Sequence, residues 1–236
     1  MISVAPQPEP VDFDERVRQP GLSALAELVG EEPLRQRPGP RREPVAQRRE
    51  DLRGTDFPEF WTRALPSLYE LYGGYCAYLA VRIDEVTGAR NVDHFVARTV
   101  DWRLAYEWSN YRLSAQRMNG RKGVHGDVID PFLLQPGTFR LEVVTGRIYA
   151  TPDLSEPDRE NACRTIKRLG LDDYDCRKMR QLHYQYYCQY DWSEDFFQQH
   201  SPFVWAEAAR QGLLRREPIL RQAQAAETQV DGDRGR

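Results

Sequence analysis

The sequence predicts an α+β protein. Short apolar or alternating runs at residues 75–95 and 139–150 have strand character. Longer stretches with apolar residues at helical spacing lie on either side, at 57–72 and 157–214. Gly and Pro mark the joins between them. At 236 residues the chain is one domain with extensions or two small domains, and it can bury a sizeable core.

Four regions are expected. Residues 1–54 read as a flexible Pro- and Arg-rich arm, since half of the 16 prolines fall in the first 50 residues. One short amphipathic helix interrupts it, with Leu22, Leu25, Ala26, Leu28 and Val29 behind Ser23. The arm is either free in solution or a docking segment for a partner chain. Residues 55–152 form the central domain, 153–222 a helical region, and 223–236 a disordered tail rich in Gln, Asp and Gly.

In the central domain, residues 57–72 carry a wide apolar face that predicts a helix. Pro58 falls in its first turn, Pro66 marks a kink or break, and Gly73-Gly74 ends it. Residues 75–84 alternate as a strand, turn at Thr87-Gly88, and return as a second strand over 90–95. Residues 96–107 connect to a helix that Ser109 would cap and Gly120 would close. Two further strands, 139–144 and 147–150, join at Thr145-Gly146. Helices follow at 157–169, from 174 to about 190, and within 202–214.

Net charge is −3, so the whole molecule is not a basic nucleic-acid coat. Between Ala89 and His125, however, seven Arg or Lys face three acids, which suits either a phosphate-contacting face or a solvated helix. The four cysteines form no C-x-x-C pair, and residues 1–10 do not resemble a signal peptide. No stretch approaches the roughly 18–20 apolar residues of a membrane span. A cytoplasmic protein with free thiols is expected.

The chemistry concentrates between Tyr75 and Lys122. His94 is a suitable general base, with an ordinary pKa of about 6.5. Asp93 and Asn119 offer hard oxygens of the kind Mg²⁺ or Mn²⁺ prefers. Adjacent strand residues point to opposite faces, so Asp93 and His94 can approach one phosphate from two sides. Arg98, Arg112, Arg121 and Lys122 are candidate contacts to a nucleic-acid backbone. Taken singly, each residue has a bland reading: a hydrogen-bonded His, a capping Asn110, an ordinary helix end at Asn119-Gly120. His125, His183 and His200 read as structural or incidental.

Asp93-His94 on a strand, followed by Asn110, Asn119 and Lys122 at these spacings, resembles the HNH endonuclease motif. Flanking segments Tyr75–Tyr78, Val92–Phe95, Trp108–Leu113 and Ile129–Phe132 resemble a bacterial HNH subgroup, some of whose members are nuclease subunits paired with an ATPase in phage defence. The resemblance implies a ββα-metal core within residues 70–135 and metal-dependent hydrolysis of DNA, with RNA as another possible substrate. His94 would be the base, Asp93 and Asn119 the metal ligands, and Asn110 a residue fixing loop geometry. It also implies a partner protein, an ATPase among the candidates, and no membrane. Many HNH proteins hold a structural zinc with two C-x-x-C pairs. Here those positions are Cys76, Leu79, Ala115 and Met118, so a structural zinc is not expected. Two rivals stand beside this reading: a degenerate HNH module that binds without cutting, and a structural protein with a chance match.

Overall fold

Two small antiparallel sheets organise the chain, and helices cover both. A computed structural model describes residues 1–214; the expected tail at 223–236 and the end of the helical region lie outside the described residues. The protein is of mixed helix and sheet, α+β.

The first sheet pairs β1 (Arg90–His94) with β2 (Tyr111–Ala115), joined by residues 95–110 and followed directly by α3 (Gln116–Lys122). This corrects two expectations. The strand expected at 75–84 is instead a tight turn held by one bridge between Tyr75 and Arg82. Ala80 N–H donates to Cys76 O at 2.8 Å, and Cys76 N–H to Val81 O at 2.9 Å. Cys76, Ala77, Tyr78, Ala80, Val81 and Ile83 are all buried, so their apolar run reflects enclosure on all sides and not the alternation of a half-buried strand.

The helix expected from Ser109 begins only at Gln116, and the preceding residues pair with β1. Tyr111, Ala115 and Met118 satisfy a helical period, but that period cannot register a distant strand. Pairing with residues 90–94 satisfies the backbone groups of 111–115, and β2 is covered on both faces. The helix ends at Gly123, whose φ of +52° suits glycine, rather than at Gly120.

The helix expected over 57–72 divides into a 3-10 turn at Phe60–Ala64 and α2 (Leu65–Leu71). Pro66 lies in the first turn of α2, where its missing N–H costs nothing, so it marks a start and not a kink.

The expectation of a flexible arm is also corrected. A π-helical turn at Asp14–Arg18 runs into α1 (Gln19–Leu28). Phe13, Val17, Leu25 and Leu28 join the main hydrophobic core. Phe13 meets Trp108 and Tyr111 edge-on, with ring centroids 5.7 Å away in each case. Gly21 lies so close to Tyr106 that a Cβ there would sit 2.4 Å from its ring. Further upstream, Val4 N–H donates to Pro131 O at 3.0 Å, and Trp108 Nε1–H to Gln7 O at 2.8 Å. Composition marked this segment as polar, but its few apolar residues are spent on the core.

The second sheet pairs β3 (Phe139–Glu142) with β4 (Arg147–Ala150). Its outer backbone groups are met by side chains. Leu141 N–H donates to Glu207 Oε2 at 2.9 Å, and Ile148 N–H to Asp172 Oδ1 at 3.0 Å. At its tip, Gly146 (φ +69°) packs on the backbone of Arg177, where a Cβ would come within 2.3 Å of a carbonyl oxygen.

The helical region holds α4 (Glu156–Leu169), α5 (Tyr174–Gln189), α6 (Glu194–His200) and α7 (Pro202–Arg210). Gly170, left-handed at φ +57°, ends α4 as its sequence suggests. The short α6, capped by the Ser193 side chain, was not foreseen. The aromatic residues of α5 pack against it: Tyr187 stacks on Phe197 at 4.9 Å. His183 and His200 are internal to this packing, with ring centroids 4.9 Å apart. Among the described residues no helix is long and apolar enough to cross a membrane.

Because Phe13 is 2% exposed and wedged between two aromatic rings, Phe13→Ala should lower unfolding stability by about 3–5 kcal/mol, measured by urea titration. A free arm would leave the midpoint unmoved.

Candidate functional site

Asp93, His94 and Asn119 border one cavity of about 200 Å³, together with Gly54, Ala97, Arg98 and Thr99. The β1–β2 register explains the arrangement. Asp93 lies opposite Arg112 and His94 opposite Tyr111, so the two site residues leave opposite faces of the sheet. The next element, α3, brings Asn119 to the same space.

The His94 ring is held on several sides. Its Nε2 lies 2.8 Å from the Ala105 carbonyl oxygen, which can only accept. Nε2 therefore carries the proton, and the lone pair is on Nδ1. Trp61 and Tyr111 meet the ring edge-on at 4.9 and 5.1 Å. Burial, followed by the charge of Arg98, pulls the His94 pKa down to about 3. The imidazole is thus neutral around pH 7.

Asn110 builds the loop that supplies that carbonyl. Its Nδ2 donates to Val96 O at 2.9 Å and Leu104 O at 3.0 Å, and its Oδ1 accepts from Val96 N–H at 2.8 Å. One carboxamide thereby clamps both ends of residues 96–104. Tyr111 Oη–H also donates to Ala105 O, at 3.0 Å. Asn110 is 5% exposed and positions the loop without bordering the cavity.

Asp93 is 1% exposed. Its Oδ2 accepts from the Tyr78 hydroxyl, and its Oδ1 from Lys122 Nζ at 3.3 Å. Burial raises its carboxyl above the usual range, against the opposing pull of Lys122 and Tyr78. Each oxygen keeps a lone pair beyond these bonds. Asn119 Nδ2 makes a long contact of 3.5 Å to Val92 O. A carboxylate and a carboxamide on one small cavity form a hard-oxygen set that fits Mg²⁺ or Mn²⁺, ions that commonly retain several waters. Among the described residues no group of three or more His, Cys, Asp or Glu could hold a metal. At the cysteine position of the zinc-binding pattern, Cys76 Sγ accepts from Ala115 N–H at 3.3 Å, and Met118 is fully buried.

Two of the four expected phosphate contacts, Lys122 and Arg112, are corrected by their burial, and a third, Arg121, is partly exposed but engaged within the chain. Lys122 is fully buried and donates to Asp93 and, at 2.9 Å, to His94 O. Arg112 is 4% exposed in a two-pronged ion pair with Asp130, at 2.8 and 2.7 Å, and lies 3.4 Å from the Phe132 ring centroid. Arg121 donates to Leu169 O and Gly170 O at 2.8 and 2.9 Å and pairs with Asp173, binding α3 to the end of α4. Local charge counting could not tell the internal cations Lys122 and Arg112 from surface ones.

Arg98 is different. It borders the cavity half-buried, lies 4.1 Å over the Trp61 ring, and makes no ion pair among the described residues. Tyr78, which hydrogen-bonds Asp93, was missed. Its apolar strand-like surroundings hid a buried hydroxyl that needed a partner.

No protein-family model matches the chain. A stretch of 67 residues is 31% identical to Septu protein PtuB of Bacillus thuringiensis. It spans 28% of this chain and 26% of that protein, about a quarter of each.

Asn110→Ala removes three hydrogen bonds from a buried loop and should cost roughly 1–3 kcal/mol. Amide exchange at residues 96–105 should quicken while α4 and α5 remain protected. Uniform acceleration across the protein would contradict a local clamp.

Proposed function

We propose that this protein is a metal-dependent HNH endonuclease that hydrolyses phosphodiester bonds in DNA, as the effector of a bacterial phage-defence complex. The observation that carries the reading is the convergence of Asp93, His94 and Asn119 on one cavity, with the His94 tautomer set by Ala105. The likeness to a Septu protein supports the defence role and a partner protein, with an ATPase as the candidate.

In this reading His94 Nδ1 takes a proton from the attacking water. A phosphate in the cavity brings negative charge beside the ring, which offsets the burial that now disfavours imidazolium. Arg98, stacked on Trp61, holds a non-bridging phosphate oxygen. Asp93 and Asn119 would hold the divalent ion, Mg²⁺ or Mn²⁺, with Lys122 and Tyr78 fixing the Asp93 carboxylate. When bound, that ion supplies charge neutralisation at the scissile phosphate and the leaving oxygen.

A second reading has one observation in its favour. Lys122 already places a cation against Asp93, which suits a degenerate module that binds without cutting.

A plasmid-nicking assay with Mg²⁺ or Mn²⁺, using the protein in its native complex, separates the two. Cleavage is expected, and His94→Ala should lower its rate by roughly 10²–10⁴-fold while preserving the fold. A complex inert with every divalent ion would leave the binding module standing. Arg98→Ala should weaken DNA binding and reduce the salt dependence by about one charge, whereas Arg121→Ala should alter stability more than binding. Equal binding losses from both would undo the assignment of Arg98.

A further inference from the structure

A second cavity, of about 350 Å³, opens between α1, residues 35–42 and the 3-10 turn Phe60–Ala64. Arg35, Arg37, Arg42 and Arg63 border it with a single carboxylate, Glu27. Glu27 is 4% exposed and is already engaged: its Oε2 accepts from Arg42 Nη1 at 2.8 Å and from Arg37 Nη2 at 3.3 Å. Four guanidiniums against one carboxylate leave the lining with an excess of three positive charges.

The two remaining arginines are tied down less firmly. Arg35 reaches Glu15 at 3.5 Å, where both side chains are largely exposed. Arg63 Nη1 donates to Arg16 O at 3.1 Å, and no carboxylate pairs with it among the described residues. Two guanidiniums also lie over the Phe60 ring, Arg63 at 4.5 Å and Arg42 at 5.9 Å.

Crowded cations in a concave site repel one another and concentrate a positive potential there. The planar guanidinium fork matches the oxygens of a phosphoryl group in two-pronged fashion. The volume is at the lower end of small-ligand sites, and Phe60 supplies one aromatic wall. We propose that this cavity binds a small phosphate-bearing anion through Arg35, Arg37, Arg42 and Arg63. The site is separate from the His94 cavity. Their nearest link is the 3-10 turn, on which Phe60 and Arg63 face the arginine cavity while Trp61 lies against His94.

The test is calorimetric titration of the full chain, without divalent metal, using sodium pyrophosphate, inorganic phosphate and AMP. Sodium chloride at matched ionic strength is the control. Saturable binding of at least one phosphate probe is expected. The double variant Arg35→Ala/Arg63→Ala should weaken it tenfold or more, because neither residue supports the buried Glu27. Lysines at both positions should restore part of the loss. Arg159→Ala/Arg164→Ala on α4 should change nothing. AMP binding more tightly than phosphate, with the gain lost in Phe60→Leu, identifies a nucleotide ligand. Phosphate and AMP binding equally well identifies the free anion. Absence of saturable binding, or unchanged affinity in the Arg35/Arg63 variant, overturns the site. His94→Ala should leave this binding intact, so the outcome is independent of the nuclease assay.

Discussion

The structure depends on the pairing of residues 90–94 with residues 111–115. Without that ladder, Asp93 and His94 have no common frame, and α3 has no fixed start. The intervening loop would cost considerable ordering entropy if it were free. Asn110 offsets part of this by closing the loop on itself at Val96 and Leu104. The same closure aims the Ala105 carbonyl at His94, so fold and tautomer are set by one construction.

Internal cations are the second constraint. Lys122 and Arg112 are nearly removed from water, which is expensive unless their donors are met. Lys122 is met by the Asp93 carboxylate and the His94 carbonyl, and Arg112 by the Asp130 carboxylate and the Ser109 and Tyr111 carbonyls. A buried Lys122 bonded to both Asp93 and His94 O ties the end of α3 to β1. Arg112, bonded to Asp130 between two phenylalanine rings, ties β2 to the segment that follows α3. These bonds leave Arg98 as the half-buried cation facing the site cavity. With His94 neutral, Arg98 borders the cavity beside the Asp93 carboxyl that Lys122 bonds from within.

The N-terminal segment belongs to the same body. Phe13 packs on Trp108 and Tyr111, which flank the site loop, and Trp61 carries Arg98 on its ring. Residues far apart in the chain therefore support the cavity from behind.

By itself the sequence determined the α+β class, the β3–β4 hairpin, the α4 helix with its Gly170 end, and the strand that carries Asp93 and His94 side by side. These rest on local signals: periodicity, caps, turn residues and fixed spacing within one stretch. Tertiary structure alone decided that residues 111–115 are a strand, that 76–80 is a buried knuckle, and that the proline-rich start is core. It also decided that Lys122 and Arg112 point inward. The physical reason is common to all of them. A strand is defined by its partner and a buried charge by its counter-ion, and here those partners lie well outside the window that any local pattern can sample.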